Sequence, residues 1–302
     1  MRCDFCFRRC DIKEGKAGFC GQRTASKGHV SSLNENMLCA VSIDPVEKKP
    51  LYHFLPNSMT FSVAKTGCSF DCDFCQNWQI AREWKGVRQA CVLPEDAAAQ
   101  ALSAGCPSIS FTYTEPLVWQ DYMLETAGKA AAAGLRTIMV SNGAFSSYSA
   151  QRVIPEIDAF NIDLKGDEYF YRKYCHGEYG PVIDGIREIV RCGRHLEVTT
   201  MVIEDIHTKE MIASLGRVLA DAGVRVWHLT RFFPQRRMRD RKASSEAFLA
   251  SLYEEARQSG ISHVYRGNSS AADETVCPVC GKISGRRAVC PHCSSAVYGV
   301  FS

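Results

Sequence analysis

Cys68-Ser-Phe-Asp-Cys72-Asp-Phe-Cys75, followed by Gln76-Asn77-Trp78, comes directly after the apolar, strand-like run Met59 to Val63. Three cysteines at CxxxCxxC spacing share one short loop. Three thiolates can hold three irons of a cubane iron–sulfur cluster and leave the fourth iron without a protein ligand. An open coordination position is what a catalytic metal site needs and a structural site avoids. The loop also bears on the fold. In a barrel of parallel strands alternating with helices, the chemistry gathers where strands end, and this loop follows a strand end.

Downstream, the alternation continues. Strand candidates lie at 59–63, 108–112, 136–140, 158–163, 196–203 and 224–230, with a short seventh at 262–266. Helical patterns lie between them, starting at signals such as Pro94-Glu-Asp before an Ala/Leu run and Asp184 before Ile186 and Ile189-Val190. Gly134 and Gly223 stop two helices just before strands. This order predicts parallel βαβ units. About six units favour an α/β fold of the partial (β/α)6, TIM-like barrel kind over a doubly wound sheet. Polar residues at the strand ends are then expected to converge on one mouth: Thr112-Tyr-Thr-Glu115-Pro116, Ser141-Asn142-Gly143, Asn161-Ile-Asp163-Leu-Lys165, Glu197 with Thr199 and Thr200, and His228 to Phe233.

The 302 residues suit one large domain or two unequal ones. With 46% apolar and 23% charged residues and a net charge of +3, the chain reads as soluble and globular, without support for nucleic-acid binding. The Arg236-Arg-Met-Arg-Asp-Arg-Lys242 run reads as a solvated face. No secretory signal and no bilayer-length apolar run is present, so a cytoplasmic protein away from the membrane is expected.

There are 16 cysteines. Cytosolic thiols stay reduced, so metal or redox chemistry is the better reading than disulfides. Cys277, Cys280, Cys290 and Cys293 form two Pro-containing CxxC knuckles of zinc-ribbon type. Cys3, Cys6, Cys10 and Cys20 are unevenly spaced, in a segment with few apolar residues; zinc and an auxiliary iron–sulfur cluster both remain open there. Cys39, Cys91, Cys106 and Cys192 read as structural. The division expected is an N-terminal Cys-rich segment and turn-rich connector (1–55), a barrel (56–268), and a C-terminal metal-binding segment (269–302) after a small, polar linker at 267–273.

With Phe74 before the last cysteine, CxxxCxxC after the first strand resembles the signature of the radical S-adenosylmethionine (SAM) superfamily. Thr112-Tyr-Thr-Glu115-Pro116 looks like that superfamily's methionine-binding motif, and Asp163-Leu-Lys165 like the Asp-Leu-Lys of pyruvate formate-lyase activating enzymes. More closely, the chain resembles the radical SAM member of the AmmeMemoRadiSam system. The matching stretches are the cysteines and glycines at 3–20, Asp44-Pro-x-Glu-Lys-Lys-Pro-Leu-Tyr-His-Phe54, Cys75-Gln-Asn-Trp78 and Tyr-Arg-Lys-x-Cys175.

The resemblance implies an oxidoreductase-like radical enzyme. A [4Fe–4S] cluster on Cys68, Cys72 and Cys75 would reductively cleave SAM to a 5′-deoxyadenosyl radical that takes hydrogen from a small-molecule or protein substrate. It also implies a flavodoxin or ferredoxin as electron donor, and Memo-like and AMMECR-like partner proteins. A glycyl-radical activase and a zinc-stabilised scaffold are the alternatives. SAM contacts are expected from Phe74 (adenine), Asn77, Glu115 (ammonium), Ser141, Asn142, Asp163, Lys165 (carboxylate) and Thr200; Cys175 is a candidate hydrogen donor or second-site ligand. The chain departs from its relatives at Val140, where an Asp is usual, at Phe233 in place of a His, and at Glu204-Asp-Ile-His207.

Overall fold

The computed structural model describes residues 1–271 and 273–301. Its strands are β1 (Arg23–Ser26), β2 (His29–Ser32), β3 (Met37–Leu38), β4 (Ala40–Pro45), β5 (Met59–Ala64), β6 (Ala90–Cys91), β7 (Ser108–Phe111), β8 (Arg136–Ser141), β9 (Ala159–Asp163), β10 (His195–Val202), β11 (Val226–Arg231) and β12 (His263–Gly267). The helices are α1 (Trp78–Ala81), α2 (Pro94–Ser103), α3 (Gln120–Ala132), α4 (Ser147–Val153), α5 (Glu168–Phe170), α6 (Gly180–Arg191), α7 (Lys209–Asp221) and α8 (Glu246–Arg257).

Strands β5, β7, β8, β9, β10, β11 and β12 lie side by side in chain order, each parallel to the next, and β4 pairs antiparallel with β5 at one edge. The order never reverses. A doubly wound sheet has a switch point where it does; without one, the sheet winds in a single direction as a barrel wall. The α/β partial barrel is therefore as expected, with β12 as the seventh parallel strand. Gly134 and Gly223, at φ +79 and +84, close α3 and α7. One helix start differs from expectation. α6 begins at Gly180 with Pro181 in its first turn, and Asp184 lies inside it. Proline's fixed φ suits a first helical turn, so it sets the start ahead of the aspartate.

Two expectations about polar groups do not hold. Glu197 and His228 lie toward the barrel floor, not the mouth. The Glu197 carboxylate accepts from the backbone N–H of Tyr52 (3.0 Å) and His53 (2.7 Å) and meets His195 Nε2 (3.0 Å) and His228 Nε2 (2.6 Å). The stretch read as a connector is thus a plug inserted under the sheet, with buried Lys49 paired to Asp44 at 2.8 Å. The C-terminal tail closes the floor: Tyr298 O meets His53 Nδ1 at 2.7 Å, and His53 and Leu55 exchange backbone hydrogen bonds with Val300. The polar segment 267–273 is fastened as well, since Arg266 grips Asp273 and Ser269 donates to Glu246 at 2.6 Å; residue 272 lies outside the described residues.

Candidate active site

The cysteine loop leaves the C-terminal end of β5 and is tied down along its length. Gly67 sits at φ +98, where a Cβ would meet Gln22 Cγ at 2.4 Å and Cys20 O at 2.8 Å, so only glycine fits this turn. The N–H groups of Asp71 and Asp73 donate to the carbonyls of Cys175 (3.1 Å) and Tyr174 (2.9 Å). The acidic residues between the cysteines are clamped by arginines: Asp71 pairs with Arg82 (3.1 Å), Arg236 (2.7 Å) and Arg237 (3.0 Å), and Asp73 with Arg237 (2.9 Å). Arg236 also donates to Cys72 O at 2.9 Å, and its side chain is 8% exposed. This corrects the reading of 236–242 as a solvated face for Arg236; Arg237 pairs with the same loop but stays half exposed. Their partners lie more than 160 positions away in the chain, so local charge patterning carries no sign of them.

Cys68, Cys72 and Cys75 are held in a low-dielectric pocket. Burial lifts the Cys68 thiol well above the usual range, helped by negative charge on Glu115. Cys72 is lifted first by its contact with the Cys175 thiol and then by burial, and burial takes Cys75 to about 11. The Phe70 N–H points at Cys68 Sγ from 3.4 Å. Among the described residues, the set of three or more ligand atoms within 4.8 Å of one another is Cys277, Cys280, Cys290 and Cys293. The loop cysteines are spread more widely, as suits a group larger than one ion.

Around them stand most of the residues expected from sequence. Glu115 is buried and accepts from Ser141 Oγ (2.7 Å), Leu117 N (3.1 Å) and Asn142 N (2.9 Å). Burial outweighs these donors and raises its carboxyl to about 7. Asn142 Nδ2 donates to Ser69 Oγ at 2.9 Å and lies 3.9 Å from Cys68 Sγ. Asn77 holds the next strand-end loop by donating to Tyr113 O at 2.7 Å. Lys165 Nζ pairs with Asp163 at 2.8 Å. Burial pulls this ammonium down, but Asp163, Cys72 and Cys175 together leave it raised. Tyr171, which opens the Tyr-Arg-Lys-x-Cys175 stretch but was given no role from sequence, joins the group: its hydroxyl accepts from Lys165 N and donates to Asp163 O, both at 3.1 Å. Phe74 is buried against Phe170, with ring centroids 5.5 Å apart.

Cys175 is fully buried at the end of a π-helical turn, Tyr171–Cys175, against Cys72. Thr200 does not join the others. Strand residues alternate faces; Asn161 and Asp163 pair in register with Glu197 and Thr199 on the inner face, which turns Thr200 outward. Its hydroxyl is taken up there by Leu164 O (2.7 Å) and Trp227 Nε1 (3.0 Å). Phe233 is 39% exposed, with Arg231 over its ring.

At the C-terminus, Cys277 and Cys293 sulfurs are 3.6 Å apart and those of Cys280 and Cys290 3.7 Å. Zn–S bonds near 2.3 Å in a tetrahedron place sulfurs about 3.8 Å apart, so the set fits one zinc ion. At the N-terminus, Cys3, Cys6, Cys10 and Cys20 line one cavity, whose wall includes Ser69 of the cysteine loop.

The pattern described as Radical SAM superfamily matches residues 63–219. A protein of Methanocaldococcus jannaschii, itself described only as uncharacterized, is 32% identical over 289 residues, spanning 94% of this chain and 86% of its own. SuiB of Streptococcus suis bound to its precursor peptide SuiA superposes with a TM-score of 0.56 at 15% identity, over 74% of this chain and 51% of SuiB. The same protein bound to S-adenosylmethionine gives 0.56 at 14% identity, over 71% and 52%. The chain thus spans about half of SuiB's length, and the likeness is one of fold.

Proposed function

The chain belongs to the radical SAM superfamily and is an enzyme of it, and on that premise we propose that Cys68, Cys72 and Cys75 hold a [4Fe–4S] cluster and that SAM binds beside it. When bound, the pair supplies one-electron cleavage of the sulfonium to a 5′-deoxyadenosyl radical able to take hydrogen from a substrate. The observation that supports this most is the gathering of the wide cysteine triplet with Glu115, Asn142 and Lys165 at the C-terminal end of the parallel sheet.

The chain's own groups divide the work. Asp71 and Asp73, fixed by Arg82, Arg236 and Arg237, keep the loop rigid. Asp163 holds Lys165 as a cation for the SAM carboxylate. Glu115 Oε2 keeps an acceptor direction beyond its bond to Asn142 N, suited to an ammonium. Ser141 and Asn142 orient Glu115, Phe74 walls the adenine side, and Asn77 sets the loop after β7. Cys175 stands where a thiol can donate hydrogen or serve as a ligand. Around this barrel (56–268), the segments 1–55 and 269–302 carry metal, zinc at the latter. A flavodoxin or ferredoxin serves as donor, and the Memo-like and AMMECR-like proteins serve as partners, in a cytoplasmic setting.

Anaerobic protein is expected to contain iron and sulfide and to form 5′-deoxyadenosine from SAM under reduction. Cys72→Ala is expected to abolish that product; its persistence in the variant overturns the reading, and zinc without iron in the wild type favours a scaffold.

A further inference from the structure

The N-terminal cysteines are spaced as three close together and one remote, Cys3, Cys6 and Cys10 with Cys20, unlike the paired knuckles at the other end of the chain. Three near ligands and one distant is a common arrangement around iron–sulfur clusters. All four line one cavity, together with Arg8 and Arg23. Cys3, Cys6 and Cys20 are buried. Two features bear on the occupant. First, zinc would bring the four sulfurs to about 3.8 Å from one another, as the C-terminal set shows at 3.6 and 3.7 Å. Among the described residues, the N-terminal set does not converge to 4.8 Å. A cubane accepts the wider spread because each thiolate has its own iron.

Second, the cavity is lined by the Arg23 guanidinium, whose side chain is 1% exposed. Its Nε donates to Val118 O at 2.9 Å and Nη1 pairs with Asp121 at 2.5 Å, while Nη2 has no partner among the described residues. A buried N–H left open costs about 1–3 kcal/mol, and sulfide or thiolate in the cavity would satisfy it. The backbone N–H of Gln22 already points at Cys20 Sγ from 3.4 Å.

We propose that Cys3, Cys6, Cys10 and Cys20 hold a second four-iron cluster, across a wall shared with the catalytic loop. This deepens the reading above and rests on it for the neighbouring cluster. The wall is short: Ser69 lines the cavity, and Arg8, from between Cys6 and Cys10, donates to Ser69 O at 2.5 Å.

The test is metal content after anaerobic reconstitution with iron and sulfide. Wild type is expected to hold about eight irons and one zinc. The Cys68→Ala/Cys72→Ala/Cys75→Ala variant is expected to keep about four irons with the zinc unchanged. Wild type with about four irons and two zincs overturns the proposal, and so does a triplet variant with no iron. Wild type with about four irons, all retained by the triplet variant, upholds this site and fails the catalytic-cluster reading instead.

Discussion

Gly67 shows how much a single residue decides at the turn out of β5. Its φ of +98 excludes an ordinary side chain, and Gln22 and the Cys20 carbonyl fill the space a Cβ would need. Gly67→Ala is expected to destabilise by more than the about 1–3 kcal/mol that backbone strain alone costs, and to lower iron retention, because the same turn aims Cys68. Thermal unfolding and iron content check both parts. Glu115→Gln is a milder case. The new amide places a second donor against either Asn142 N–H or the Ser141 and Leu117 donors. One buried donor left unpaired costs about 1–3 kcal/mol, to be read from denaturant midpoints. Legibility at this scale follows reach. Glu115, Asn142 and Lys165 are polar residues beside strand ends, so position in the chain was enough to bring them together. Thr200 failed because one residue of strand register turns a side chain to the opposite face. Tyr171 was quoted only as part of a motif, because its hydroxyl partners, Lys165 N and Asp163 O, are backbone groups that carry no side-chain signal.

At the scale of elements, the loop after β11 holds the loop after β5. Arg236 reaches Asp71 and Cys72 O from the far end of the parallel order, so the clamp spans the barrel mouth. Arg236→Ala removes a buried charge-assisted hydrogen bond, with an expected loss of about 1.5–3 kcal/mol. Lys242→Ala, in the same basic run but exposed, is expected to stay within about 0.5 kcal/mol. Equal effects of the two on the unfolding midpoint would show that no such clamp operates. The parallel strands were legible because strands covered on both faces read as short apolar runs; β7 and β9 are buried almost end to end. Strand β4 was not, since it alternates between half-buried and exposed residues until Asp44. The β1–β2 hairpin, turning through Lys27 and Gly28 at positive φ, lay in a segment read only for its cysteines.

The whole molecule is closed from below by groups distant in sequence: the 46–56 plug, Glu197 and its histidines, and the C-terminal tail. Several polar residues were expected to meet at the mouth, and which ones do was not legible, because the end each occupies depends on its depth along the strand and on what plugs the floor. This arrangement makes stability depend on pH. Burial, then neighbouring His53, pulls the His263 imidazole from its ordinary 6.5 down to about 4. The folded state therefore binds fewer protons than the unfolded chain between those values, and stability falls as pH falls through that window. A shift of that size corresponds to about 3 kcal/mol. Glu197, held well below the usual carboxylate range against its burial by His195 and His228, acts in the same direction at lower pH. Glu115, raised to about 7, takes up its proton in the folded state and opposes them. The test is therefore a difference. His263→Phe keeps the ring that lies tilted against His53 and stacks on Tyr265 but cannot charge. The wild type is expected to lose about 3 kcal/mol more than the variant between pH 7 and 4, measured by denaturant unfolding of the metal-loaded protein. Parallel profiles would mean that the floor histidine does not carry the acid sensitivity.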